Sequence, residues 1–290
     1  MDRRLQAAGM TAAPPARVYA VDPALPFADA LAAGILDLVG GEPLRLAACT
    51  VLMPTRRACR ALHEAFLRLS GGEPRLLPRL SPLGQLDADE LDLLATALPG
   101  GDDLDLPPAM PPLRRQLLLT RLVHATGLTP TPAQAARLAA ELARLRDQML
   151  AEGIDLDRLD GLVPEDHARH WQITLDFLKI LREHWPAIEA AEGAIDGAAR
   201  HNLLMLRQAE LWRARPPADP VIAVADPGSS RRTAELMAVV AGLPQGAVVL
   251  PGLDLGLDDE AWAALDDAHP QFGLARMLEV LGVGPADVRP

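Results

Sequence analysis

The strongest constraint on this chain comes from a set of short apolar runs with no polar alternation: RVYAV at 17–21, LAACTVLM at 46–53, VIAVA at 221–225 and AVVL at 247–250. A strand that is apolar on both faces must be covered on both faces, which is the condition of a parallel sheet flanked by helices. The first run ends at Asp22 and Pro23, and Phe27, Leu31, Ile35 and Leu38 follow at helical spacing. After the second, PTRRACRALHEAFLRL places Ala58, Leu62, Ala65, Phe66 and Leu69 on one stripe. The recurring βα unit predicts the α/β class.

Between the two pairs of strands the pattern changes. Residues 75–112 are rich in Pro, Gly and Asp, with a brief strand candidate at Arg75–Leu80 and an acidic patch at Asp87, Asp89, Glu90 and Asp92. From Leu113 to Arg213 the periodicity is helical. Thr131, Pro132 and Gln134 predict a capping box with proline at the first helical position, and Leu138, Leu142, Leu145 and Met149 share a face. Trp171, Leu175, Leu178, Leu181 and Trp185 form a second stripe that Pro186 is expected to end. The predicted organisation is a leader at 1–16, a first α/β part at 17–112, an all-helical insertion at 113–214 and a second α/β part at 215–290.

Composition narrows the function classes. With 49% hydrophobic residues in 290, there is material for a large core. The longest apolar stretches are strand-length, far below the ~20 residues of a membrane span. Residues 1–16 hold no continuous apolar core of a secretory signal, so a cytoplasmic location without membrane contact is expected. Cys49 and Cys59 give neither a disulfide framework nor a zinc pattern. Acidic residues outnumber basic ones 39 to 28, a net charge of −11, so any nucleic-acid contact must be local and not the work of the overall field.

The loop after the first strand is where an open parallel sheet would cradle phosphate. It reads Asp22-Pro23-Ala24-Leu25-Pro26-Phe27. A working phosphate loop needs glycines, a lysine and a Ser/Thr for magnesium, and this loop has none of them. Its two prolines lack N–H donors, its aspartate repels phosphate, and the sole lysine, Lys179, lies in the helical block. Asp226 ends the third run as a magnesium-binding aspartate would, but Pro227 stands where the water-activating glutamate belongs. Asp226 and Asp254 could form a metal site, but acids at strand ends are common in ordinary α/β loops, which is the plainer reading. No catalytic residue, cofactor or metal is expected.

Two helix starts have the chemistry to meet phosphate oxygens. Thr55, Arg56 and Arg57 follow the second strand, where backbone donors and two guanidiniums converge; the plainer reading is a helix start with solvated arginines. Gly228, Ser229, Ser230, Arg231, Arg232 and Thr233 form a small-residue loop that is an anion site in principle and a plain cap otherwise. His167 and His170 beside Asp166 lack a third strong ligand and read as surface histidines. Trp171 and Trp185 have the spacing of core residues more than of a base-stacking platform. Cys59 and His63 lie four apart without an orienting partner.

The order of these pieces resembles the first motor domain of a superfamily 1 helicase with vestigial nucleotide motifs. More specifically, PTRRACRAL, HWQITLDFLKILREHWPAI, GAVVLPGLDLGLDDEAW and HPQFGL are similar to the N-terminal part of the alphaproteobacterial type of AddB subunit, over about Val18 to Val283. The resemblance implies a RecA-like parallel sheet, a degenerate P-loop NTPase fold, carrying a large all-helical insertion. It also implies a non-catalytic role in double-strand-break repair: scaffolding an AddA-type helicase-nuclease and contacting single-stranded or duplex-end DNA, with Thr55, Arg56 and Arg57 on the strand. The nuclease domain and iron-sulfur cysteines of that family lie further along a longer subunit, so a fragment or a truncated product is expected. At Asp226–Arg232 two arginines replace the apolar or small residues of that family. The rival expectations are a phosphate- or nucleotide-binding enzyme using the Gly228 loop and a pure protein scaffold.

Overall fold

Apolar strands that alternate between two faces need two helical layers, and the fold supplies both. The computed structural model describes residues 16–84, 93–94, 96–100, 104–154 and 178–290. Strands β1 (Val18–Val21), β2 (Thr50–Met53), β3 (Arg79–Pro82), β4 (Val221–Val224) and β5 (Gly246–Pro251) form one parallel sheet in the order β1-β5-β4-β2-β3. The register sets Val18 beside Val248, Val221 beside Gly246 and Thr50 beside Val221. On the outer side of β1, Tyr19 bridges to Arg289 in parallel, with Ala20 N donating to the Arg289 carbonyl at 2.7 Å. The Arg289 guanidinium lies 5.9 Å from the Tyr19 ring centre.

One face of the sheet presents Val18, Ala20, Leu52, Val221, Ala223, Val248 and Leu250 to α7 (Gly197–Ala214), α8 (Arg231–Gly242) and α10 (Phe272–Leu281), the last of which follows the short α9 (Asp259–Ala263). The other presents Val51, Met53, Ile222, Val224, Ala247 and Val249 to α1 (Phe27–Leu38), α2 (Pro43–Ala48) and α3 (Arg56–Leu69). Within α3, Leu62, Ala65 and Phe66 are buried as their spacing predicts, while Leu69 at the end of the stripe is exposed.

The elements between β3 and β4 are helical among the described residues: α4 (Pro112–Ala125), α5 (Pro132–Glu152), a π-turn at Ile180–His184, α6 (Trp185–Glu192) and α7. Leu119, Val123, Ala139, Leu142, Leu181 and Trp185 make a core of their own. Beside it lies an ion cluster that sequence periodicity could not show. Asp196, fully buried, faces Arg115 with Nε and Oδ1 2.9 Å apart, out of line for a hydrogen bond, and accepts hydrogen bonds from Arg146 and from Trp185 Nε1 at 3.1 Å. Asp147 accepts from Arg115 at 2.8 and 2.9 Å, and Glu189 accepts from Arg146 and from the Asp196 N–H. Burial pulls the Arg115 guanidinium down, and Asp147, Asp196 and Glu189 more than restore it. A buried carboxylate shared by two guanidiniums meets the requirement that interior charge be paired.

Four sequence expectations need correction. The run 46–53 is not one strand: α2 ends at Ala48, Cys49 turns the chain with φ −65 and ψ 135, and only Thr50–Met53 pair. Pro43 starts that helix, where its missing N–H costs nothing. The strand candidate at 75–80 forms at Arg79–Pro82, where the chain comes beside β2. Leu145 faces out, unlike Leu142 and Met149, because the apolar stripe of α5 is wider than the part of it that is buried. Pro186 ends nothing: it occupies the first turn of α6, directly after the π-turn, a position that tolerates a missing donor. The leader at 1–15, the patch at Asp87, Asp89, Glu90 and Asp92, and Asp166, His167, His170, Trp171 and Leu175 lie outside the described residues. Among those described, no helix is long and apolar enough to cross a membrane.

Candidate nucleic-acid interface at the carboxyl edge of the sheet

All five strands run the same way, so the loops after them gather on one edge. The loop after β1 closes on itself. Asp22 Oδ1 accepts from Ala24 N at 2.8 Å, the Asp22 carbonyl accepts from Leu25 N at 3.0 Å, and Pro23 and Pro26 have no N–H. In the first turn of α1, Asp29 answers the positive end of the helix dipole and pairs with Arg68 at 2.5 Å. The donors that would have to converge on phosphate are turned inward, and the helix start already has its anion.

The loop after β2 is built differently. Thr55, extended at φ −145 and ψ 160, caps α3 by accepting from Ala58 N at 3.1 Å. Arg56 and Arg57 are the first two helical residues, both exposed, and the first turn holds no acid. Arg57 makes no ion pair among the described residues. Cations at the positive end of a helix dipole cost the fold a few tenths of a kcal/mol, and the same placement favours an anion. The floor is rigid: Leu83 N donates to the Met53 carbonyl at 2.7 Å, and a Cβ on Gly84 would collide with the Pro54 carbonyl. Only glycine lets the chain after β3 pass so close to the residue before the cap.

The loop after β4 carries the second predicted set. Ser229 N donates to the Asp226 carbonyl at 2.9 Å, and Ser230 caps α8 by accepting from Thr233 N at 3.2 Å. Arg231 and Arg232 fold back along α8 onto Glu235, at 3.2 and 2.7 Å. Burial raises the Glu235 carboxyl, and hydrogen bonds from Arg232 and Arg231 outweigh it, so the group is held below the usual carboxylate range. The start of α10 sits on this loop, with a Cβ at Gly273 falling 2.5 Å from the Pro227 carbonyl. Gly228 to Arg232 are therefore arranged as a capped helix start whose two arginines share one carboxylate.

After β5, Gln271 clamps the loop, its Nε2 donating to the Gly252 carbonyl at 2.9 Å and its Oε1 accepting from Asp254 N at 3.2 Å. Asp254 Oδ1 accepts from Gly256 N at 2.8 Å, so this acid too closes a local turn. Among the described residues no group of three or more His, Cys, Asp or Glu is placed to hold a metal. The sequence offers no signal for the Gln271 clamp, whereas Glu235 could have been found as the partner of two arginines, standing four residues after Arg231 and three after Arg232 on one helix. Trp185 is wholly buried with its indole N–H on Asp196, a core residue and not a stacking platform. Cys49 is enclosed, its thiol pushed up to about 12 chiefly by burial; burial also raises the half-buried Cys59. Compared with known proteins, the chain matches no family model and no curated protein.

Proposed function

We propose that this chain is a non-catalytic, helicase-like part of a double-strand-break repair subunit, one that contacts single-stranded DNA through Thr55, Arg56 and Arg57 and scaffolds an AddA-type motor. The observation that carries the reading is the contrast between two strand ends. After β1 the backbone donors are closed off by Asp22 and by prolines, whereas after β2 two exposed guanidiniums stand on a capped helix start with no acid in its first turn. A nucleotide needs the first place and a nucleic-acid backbone can use the second. The finer assignment of the sheet, a RecA-like one with a degenerate P-loop, is part of the same proposal. In the common doubly wound orders the first strand neighbours the second. Here β5 and β4 separate them.

The test is fluorescence anisotropy with a labelled single-stranded oligonucleotide across a salt series. Wild type is expected to bind weakly, and R56A/R57A to bind more weakly still, with the salt slope falling by roughly 0.7 for each phosphate that is no longer neutralised. Wild-type affinity in the double variant would end the DNA assignment of this loop; co-purification with an AddA-type motor without DNA binding would leave a pure scaffold. A nucleotide-binding enzyme built on the Gly228 loop is disfavoured by the pairing of Arg231 and Arg232 with Glu235. ATP with magnesium at millimolar concentration is accordingly expected to leave the melting temperature unchanged, and a clear upward shift would overturn the non-catalytic reading.

A further inference from the structure

We draw no further inference here: the strongest candidate, the groove of about 440 Å³ that Met149, Leu150, Ile154, Leu203 and Leu206 of the helical block form against Arg232 at the start of α8, has its two arginines already engaged, Arg146 by Asp196 and Glu189 and Arg232 by Glu235, and nothing in the structure shows what covers its apolar wall.

Discussion

Asp196 and Asp29 show how differently two ion-paired aspartates can matter. Asp196 is sealed inside the helical block between Arg115 and Arg146, and removing it would take one of two carboxylate partners from each partly buried guanidinium. Asp196→Ala is expected to destabilise by about 1–3 kcal/mol, because it leaves the buried Trp185 N–H without an acceptor while Arg115 keeps Asp147 and Arg146 keeps Glu189. Asp29 meets Arg68 at the surface, in a pair with 36% and 55% of the side chains exposed, and Asp29→Ala should cost under about 1 kcal/mol. Urea denaturation of the two variants separates the cases, and equal midpoints would show that the cluster does not hold the block together. Nothing in the sequence marks either residue as important. A carboxylate's worth depends on what surrounds it, and the partners of Asp196 come from three helices, of which only α6 is near it in the chain.

Among the elements, helix starts are the most legible. The sequence predicts that Thr131 caps α5, and it does so, accepting from Gln134 N at 3.3 Å, although the reciprocal arm of a capping box is replaced by a Thr131–Gln134 side-chain contact. Thr131→Ala is expected to lower stability by about 1 kcal/mol, with Thr131→Asn largely restoring it, as measured by guanidinium denaturation. A null effect of the alanine would mean that burial along Ala135, Ala139 and Leu142 alone fixes where the helix begins. Caps are legible because their chemistry is confined to four consecutive residues. The run at 46–53 resists reading for the opposite reason: helix and strand are both apolar there, and periodicity cannot part a short buried helix from a buried strand.

At the scale of the whole molecule, α7 ties the helical block to the sheet. Its Leu204, Met205, Ala209 and Trp212 belong to the sheet core, Gln208 and Trp212 both donate to the Pro99 carbonyl at 3.0 Å, and Asn202 donates to the Leu150 carbonyl at 2.7 Å. The division at residue 214 expected from sequence thus ends on a helix that serves both parts. His201 lies on this helix with its Nδ1 enclosed and unpartnered among the described residues, and burial pulls its pKa down to about 4. A folded-state pKa below the unfolded value of about 6.5 means that the unfolded chain binds the extra proton first. Stability is therefore full above about pH 6.5 and falls between about pH 6.5 and 4, by up to about 3 kcal/mol. His201→Leu should flatten that part of the profile; chemical denaturation at about pH 7.5 and about pH 4.5 reads it, and an unchanged slope would assign the acid sensitivity to other groups.

The sequence by itself determined the α/β class, the two pairs of strands around a helical stretch, and the absence of a glycine-lined phosphate loop after the first strand. These rest on short-range signals: unbroken apolar runs, prolines, caps and missing residue types. Only the tertiary structure decided the order β1-β5-β4-β2-β3, the gathering of the strand ends on one edge, and which arginines there are already paired. Arg56 and Arg57 read much like Arg231 and Arg232 as a string of letters, and the structure adds that Arg231 and Arg232 share Glu235 a turn along α8. Whether a guanidinium is available to an anion is a property of its neighbours in space, of which spacing encodes those on its own helix, such as Glu235, and packing decides the rest.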